Sequence, residues 1–177
     1  ANLSDASQAR QFGYNCDFVA FMPLPWGSDN STAGLLCVNN EYTSPELMFP
    51  GVAGRRSLSP EQVRVIMAAH GHSIVEVRKT GNRWSMVKDS PYNRRLPAST
   101  PILMTGPAAG DPRLKTSADA TGTRALGTLN NCAGGVTPWG TVLSAEENFN
   151  GYFRYDAASA AIPEREKAGN YALLGLG

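Results

Sequence analysis

The chain has few charged residues and almost no excess of either sign. Asp, Glu, Lys and Arg make up 18% of its 177 residues, and the formal net charge is +1. Lys and Arg do not gather into a polybasic run, the feature typical of proteins that bind nucleic acid or anionic membrane surfaces. We therefore expect neither nucleic acid nor a membrane as a partner.

Long apolar segments are also missing. The longest, Phe18–Trp26, contains two prolines and is far shorter than the ~20 residues that a membrane-spanning helix needs. The sequence begins at Ala1 without a methionine and without a charged leader before an apolar stretch. It stops at Gly177, in a segment with the composition of an element that is just starting. We expect a mature or trimmed piece of a longer protein.

Cysteine is scarce, and three cysteines leave one without a partner whatever the pairing. Cys16 and Cys37 either form a disulfide in an oxidising compartment or remain half-buried free thiols. The sequence favours the free thiols and leaves both possibilities open.

Glycine and proline, in contrast, are plentiful and scattered. The 18 glycines and 12 prolines separate short apolar segments, a pattern typical of many short strands joined by turns. Strands are predicted at Asp17–Leu24, Gly34–Thr43, Gly140–Glu147 and Gly151–Asp156. A β-hairpin is predicted from Ser73 to Asp89, around the turn Thr80-Gly81-Asn82.

One good helix is predicted, starting after Ser59 and ending near His70. Ser59 and Gln62 form a capping box, and Val63, Ile66 and Met67 form its apolar face. Residues 157–168 are predicted as a loop or a short helix. The chain is therefore predicted to be a single all-β domain, mainly strands with one short helix.

The segment from Asn130 to Phe153 has unusual chemistry for a packing element. It combines a thiol, Cys132, with the carboxylate pair Glu146-Glu147, four asparagines and four glycines. Glu147 lies fifteen residues after Cys132, which leaves room for a turn and a return strand that brings the two together. Alternation along a strand places Glu146 and Glu147 on opposite faces.

Such a group predicts a bound cation. Adjacent carboxylates need positive charge nearby, and cysteine binds a metal only as the thiolate. A thiolate with carboxylates suits iron better than magnesium, whereas calcium suits oxygen ligands such as Asn131 and Asn148. The alternative is that Cys132 is a small buried hydrophobe and both glutamates lie on the surface.

Two other places carry candidate functional groups. Asn39, Asn40 and Glu41 follow an apolar strand at the point where ligands often emerge, although these residues alone favour a capped strand end. Arg94 and Arg95 lie on opposite faces of an extended segment, where one could bind a phosphate or both could be solvated.

The segment Asn-Asn-Cys-Ala-Gly-Gly-x-Thr-Pro-Trp-Gly-Thr, followed by Glu-Glu-Asn-Phe, resembles the signature of the PhoX-type alkaline phosphatases. The resemblance extends to Gln11–Tyr14 with Asp17-Phe18, to Asn39–Thr43, to Ser73–Arg78, to Tyr92–Arg95 and to Gly106–Gly110. Asn40 stands where the family usually has histidine.

This resemblance implies a β-propeller, of which residues 1–177 are the N-terminal portion. It implies a secreted or periplasmic bacterial enzyme that hydrolyses small phosphate monoesters with iron and calcium. Cys132 and Glu147 match iron ligands, and Glu146, Glu41 and Asn131 match further metal ligands. Arg94 or Arg95 would then stabilise charge on the phosphoryl oxygens. The alternative is a non-catalytic secreted propeller of the same family that acts as a binding or scaffold protein.

Overall fold

A computed structural model describes residues 3–54 and 57–152 of the chain. Its elements, in order, are α1 (Asp5–Gln8), β1 (Cys16–Pro23), β2 (Ala33–Asn40), α2 (Pro45–Met48), α3 (Pro60–Ala69), β3 (Gly71–Thr80), β4 (Arg83–Met86), β5 (Arg94–Leu96), β6 (Pro101–Leu103), β7 (Arg124–Leu126), β8 (Asn131–Val136) and β9 (Val142–Glu146). Short 3₁₀ turns cover Pro112–Leu114 and Phe149–Tyr152.

Many of the strands are short and joined by turns, as the spacing of glycine and proline predicts, and they form antiparallel sheets. The largest sheet has the order β1-β2-β3-β4, and β5 also pairs with β3. β6 pairs with β7, and β8 pairs with β9. The protein is thus mainly β with a few short helices. Within residues 3–54 and 57–152 none of these sheets closes on itself, so a propeller remains a prediction.

β3 is the longest and most central strand of the main sheet. Its residues Ile74, Val77 and Ser73 are buried, and the strand pairs with β2 on one side and with β4 and β5 on the other. The buried hydrophobic side chains form two small clusters. Ala20, Met22, Cys37 and Ile74 form one, and Phe49, Val65 and Ile66 form the other.

Helix α3 begins as predicted. Ser59 Oγ accepts a hydrogen bond from Gln62 N, and the Gln62 side chain accepts one from Ser59 N, completing the capping box. Its apolar face differs from the prediction at one position, since Val63 is 41% exposed whereas Val65 is buried. The difference arises because the second core lies towards Val65 and Ile66.

The bounds of two predicted strands differ from the structure, and a third predicted strand does not begin where expected. β2 ends at Asn40, three residues before the predicted end, and β9 covers Val142–Glu146. The predicted strand from Gly151 does not start there, because Phe149–Tyr152 is a 3₁₀ turn. Its remainder and the predicted loop at residues 157–168 lie outside the described residues.

All three cysteines are free thiols, which excludes the Cys16–Cys37 disulfide.

Two glycines bring backbone segments unusually close together. A Cβ on Gly71, whose φ is +99°, would meet the Leu96 carbonyl oxygen at 1.9 Å. A Cβ on Gly13 would meet the Asn40 side chain and the Ala69 carbonyl oxygen, each at 2.4 Å. These contacts place β5 directly against the start of β3 and the N-terminal segment directly over Asn40.

None of the helices in the described part of the chain has the length and apolar character needed to cross a bilayer.

The described residues up to Glu147 belong to one compact unit, and those from Asn148 onward belong to a second. Every site described below lies within the first.

Candidate metal centre

Three strands bring two carboxylates and a thiol together. Asp17 lies at the start of β1, Glu41 directly follows β2, and Cys132 lies in β8. One oxygen of each carboxylate and the Cys132 sulfur all lie within 4.8 Å of one another. Antiparallel pairing explains the meeting of the first two, because Cys16 pairs with Asn40 at one end of the β1–β2 ladder.

Two asparagines in the left-handed region shape this end of the ladder. Asn15 has φ +43° and Asn130 has φ +53°, and asparagine tolerates this conformation better than most residues. The Asn15 carbonyl oxygen accepts from Glu41 N at 3.0 Å, and Asn130 Nδ2 donates to Glu41 Oε1 at 2.9 Å. Glu41 is therefore held through both its backbone and its carboxylate.

Glu147 completes what we call the anionic cluster: Asp17, Glu41, Cys132 and Glu147. The Cys132 thiol donates to Asp17 Oδ2 at 3.1 Å and also hydrogen-bonds Glu147. Glu147 N donates to the Asn130 carbonyl oxygen at 2.9 Å, which fixes the chain at this point. Glu146 lies elsewhere, because its Oε1 accepts from Leu129 N at 2.7 Å.

The electrostatics of the cluster are those of a site for a cation. The carboxylates of Glu147 and Asp17, as hydrogen-bond acceptors, raise the pKa of Cys132 to about 12. Desolvation, followed by the charge of Asp17, raises the pKa of Glu41. Across residues 3–54 and 57–152, none of the ion pairs involves a carboxylate of this cluster. Negative charge thus accumulates here without a positive partner from the described chain.

The donor set fits a metal. Sulfur and carboxylate oxygen together suit a transition metal better than magnesium, which prefers oxygen alone. A metal would also remove the thiol proton, since only the thiolate binds. Cys132, Asp17, Glu41 and Glu147 are the residues of this chain that could hold it.

Arg95 lies in a different group, which we call the arginine cluster. Its guanidinium donates to the Ala68 and His70 carbonyl oxygens, at 3.0 Å each, to Ser73 Oγ at 2.8 Å and to Asn40 Oδ1. Burial lowers the pKa of Arg95 to about 10, so the group stays charged at neutral pH. Arg95 therefore directs most of its N–H donors to acceptors within the protein and has few left for a ligand.

Arg94 points to the other face of β5, as alternation predicts. It is exposed, and it lines a cavity of about 430 Å³ together with His72 and Asn131. Asn131 is 1% exposed, its Nδ2 donates to Ser144 Oγ at 2.9 Å, and its Oδ1 has no partner. The structure therefore brings together Cys132, Glu41 and Glu147 of the predicted site residues, and it places Asn131, Glu146, Arg94 and Arg95 elsewhere.

Sequence reasoning missed Asp17 and Asn130. Asp17 had a usable signal, since an acidic residue that opens an otherwise apolar strand needs a reason to be there. Asn130 begins the segment that the sequence singles out, but the sequence alone assigned it no function. Its contact with Glu41 joins residues 89 positions apart in the sequence, which no local pattern reveals.

Comparisons with known proteins identify a family and a similar solved structure. The family described as alkaline phosphatase PhoX matches residues 2–172. The structure of Pseudomonas fluorescens PhoX in complex with vanadate, a transition state analogue, is 39% identical in sequence and has a TM-score of 0.81. The match covers 95% of this chain and 28% of the Pseudomonas chain. No curated protein matches the chain significantly.

The family match spans nearly the whole sequence and includes every residue of the anionic cluster. We conclude that the chain belongs to the PhoX family of alkaline phosphatases.

Proposed function

We propose that this protein takes part in metal-dependent hydrolysis of phosphate monoesters. The chain spans 28% of the Pseudomonas PhoX chain, so the proposal concerns the part of the active site that these residues supply. In the same proposal, residues 1–177 are the N-terminal portion of a single β-propeller domain.

The convergence of Asp17, Glu41 and Cys132 is the observation that carries the proposal. The three groups come from β1, from the end of β2 and from β8 to one point, and a thiol with two carboxylates is a donor set that suits a metal. Vanadate, which binds the Pseudomonas protein, is there described as a transition state analogue. Its chemistry as a phosphate mimic supports a phosphate ester as substrate.

We propose iron as the metal of the anionic cluster and calcium as an additional ion. Sulfur from Cys132 favours iron, and Glu147, Asp17 and Glu41 supply hard oxygen ligands. Calcium would take oxygen ligands alone. When bound, such metals neutralise charge on a phosphoryl group and help to generate the nucleophile.

The residues of this chain would act mainly by holding and orienting. Asn130 fixes the carboxylate of Glu41 through a hydrogen bond. Of the two arginines, Arg94 is the better candidate for contact with the substrate, because it is exposed and Arg95 is engaged by four acceptors. In this proposal the guanidinium of Arg94 stabilises charge on the phosphoryl oxygens.

We further propose that the substrates are small phosphate esters and that the protein is secreted or periplasmic. Membership of the PhoX family supports both. Nucleic acid is not proposed as a partner, because the net charge is +1 and no polybasic run is present.

Hydrolysis of p-nitrophenyl phosphate, with added iron and calcium, tests the proposal. Activity is expected in the wild-type protein and its loss, by more than about 100-fold, in Cys132→Ala and Glu147→Ala. Glu146→Ala is the matched control, since its carboxylate caps Leu129 N outside the cluster. Wild-type activity in Cys132→Ala would contradict the site assignment.

The same assay addresses the non-catalytic alternative, in which the protein is a binding or scaffold module. That alternative predicts metal binding without hydrolysis. Asn40 stands where the family usually has histidine, but this difference does not distinguish a phosphatase from a binding module. Asn40 contacts Arg95 and Ser73 and lies outside the anionic cluster.

A further inference from the structure

We propose that Asn39 is a positioning residue that holds the Cys132 thiol in the anionic cluster. Asn39 does not touch a ligand side chain itself. It acts on the backbone of Cys132, and the inference rests on the proposed function only where that thiol is expected to bind a metal.

The backbone at Cys132 departs from regular strand pairing. β8 and β9 pair at Asn131 with Glu146 and next at Gly134 with Ser144. Two residues of β8 thus oppose one of β9, which is a β-bulge that disturbs the ladder. The carbonyl oxygens of both bulged residues, Cys132 and Ala133, instead accept from Asn39 Nδ2, at 2.8 and 3.3 Å.

The orientation of the Asn39 amide is fixed by its partners. Carbonyl oxygens only accept, so the amide nitrogen must face β8 and Oδ1 must face the other way. Oδ1 accepts from Ser144 Oγ at 3.0 Å and lies 2.8 Å from His72 Nδ1. Because Oδ1 can only accept, Nδ1 is the ring nitrogen of His72 that carries the proton. Asn39 is fully buried, with 0% exposure. A buried amide with two partners at each end has a single arrangement.

The bulge determines where the thiol lies. With the Cys132 and Ala133 carbonyls held by Asn39, the Cys132 sulfur reaches Asp17 Oδ2 at 3.1 Å. Outer-shell groups of this kind typically change metal affinity about 10–100-fold when they are removed. Asn39 belongs to the same class of group, although it supports a ligand through the main chain.

The test uses Asn39→Leu, which keeps the approximate shape and removes both donors. Its matched control is Asn40→Leu, the same change at the next residue, which is also 0% exposed but contacts Ser73 and Arg95 on the opposite face of β2. Both variants lose stability, so a difference between them isolates the effect on Cys132.

The first measurement uses metal-free protein and iodoacetamide, with alkylation followed at each cysteine by mass spectrometry. Free N-acetylcysteine in the same reaction is the reference thiol, because Asn40 Nδ2 donates to Cys16 Sγ at 3.8 Å and its substitution would alter Cys16 itself. In Asn39→Leu the rate at Cys132, relative to that reference thiol, should rise about fivefold or more, because a sulfur no longer held against Asp17 Oδ2 is more open to the reagent. In Asn40→Leu the ratio should stay at the wild-type value.

The second measurement is a titration with cobalt(II), followed by its thiolate charge-transfer absorption. Affinity should fall about 10–100-fold in Asn39→Leu and remain within about threefold of wild type in Asn40→Leu. Equal changes in the two variants, or no change in Asn39→Leu, would overturn the inference. If the wild type shows no cobalt–thiolate band while the alkylation ratio still responds to Asn39→Leu, the metal proposal fails and the positioning role stands.

Ser144→Ala provides a second variant should Asn39→Leu not fold. It removes one donor to Asn39 Oδ1 and leaves the amide nitrogen in place. A smaller rise in the Cys132 alkylation ratio, about twofold, is expected because Asn39 Oδ1 is then held by His72 alone. An unchanged ratio would count against the inference.

Discussion

The anionic cluster and the arginine cluster lie at the same end of β2, on opposite faces, and they differ in completeness. Arg95 brings one positive charge and finds four acceptors in the protein itself. The anionic cluster brings three carboxylates and a thiol, and no ion pair in the described chain includes them. The charge of Arg95 is met by acceptors within the fold, whereas the carboxylates of the anionic cluster have no positive partner among the described residues.

This difference separates two roles that look alike in sequence. Asn39 and Asn40 are adjacent and equally buried, yet one supports the thiol and the other supports Arg95. We infer that substitutions in the arginine cluster act on stability, whereas those in the anionic cluster act on binding. The following experiments test whether the two clusters differ in this way.

The largest effect is expected from Arg95→Met. Removing the guanidinium leaves several partly buried acceptors without a donor, so the free energy of unfolding should fall by about 3 kcal/mol. Arg94→Met is the matched control, since Arg94 is exposed and bonds only the Tyr92 carbonyl oxygen among the described contacts. It should change stability by less than about 0.5 kcal/mol. Urea denaturation measures both, and equal losses would remove the distinction between the two arginines.

Cobalt(II) should stabilise the metal-free protein. At about one hundred times its dissociation constant, a ligand of the folded state contributes about 2.7 kcal/mol. Calorimetry should show this gain in the wild type and its loss in Asp17→Asn, because one of the three converging donors is weakened. Asp119→Asn is the control, as Asp119 already accepts from Thr121, Thr123 and Arg124 in a turn. A gain of the same size in Asp17→Asn would show that the metal binds elsewhere.

His72, which is buried and bonds Asn39, should make stability depend on pH. Burial, followed by the charges of Arg95 and Arg94, lowers the pKa of His72 from 6.5 to about 4. The unfolded chain therefore binds a proton from about pH 6.5 downward, whereas the folded chain does so only near pH 4. Stability attributable to His72 is lost as the pH falls through this window, by about 2 kcal/mol between about pH 7.5 and about pH 5.

The comparison of wild type with His72→Gln isolates this contribution from that of other groups. The difference between their unfolding free energies should shrink towards lower pH, as followed by urea denaturation in a series of buffers. Parallel pH profiles for the two proteins would contradict the prediction.

The smallest effect is expected at Glu41 in metal-free Asp17→Asn. The charge of Asp17 is the second cause of the raised pKa of Glu41, after desolvation. Its removal should lower that pKa without returning it to the ordinary value, because the larger cause remains. Carboxyl-carbon NMR titration measures the change. A pKa that rises, or stays fixed, would show that Asp17 and Glu41 do not share one site.

The sequence predicted the parts of this molecule that depend on local patterns. The capping box at Ser59, the hairpin around Gly81 and the opposite faces of Arg94 and Arg95 all follow from spacing along the chain. The end of β2 at Asn40 did not follow, because the polar residues beyond it serve tertiary contacts and do not pair.

The candidate site was predictable only in part, for the same reason. Cys132 and Glu147 carry chemistry that is recognisable in any context, and their separation suits a turn and a return strand. Asp17 meets Cys132 across 115 positions, and Asn39 meets it across 93. Such meetings are set by strand order and by a bulge, and neither leaves a periodic trace in the sequence.

The close approaches at Gly13 and Gly71 carry a consequence for how this sequence can vary. Gly13 leaves no room above Asn40, and Gly71 leaves none between β3 and Leu96. A methyl group at either position would push apart segments that must meet for Arg95 to reach its acceptors. A library randomised at positions 13 and 71 and selected for folded protein should consequently return glycine at both, even though neither residue has a side chain to contribute.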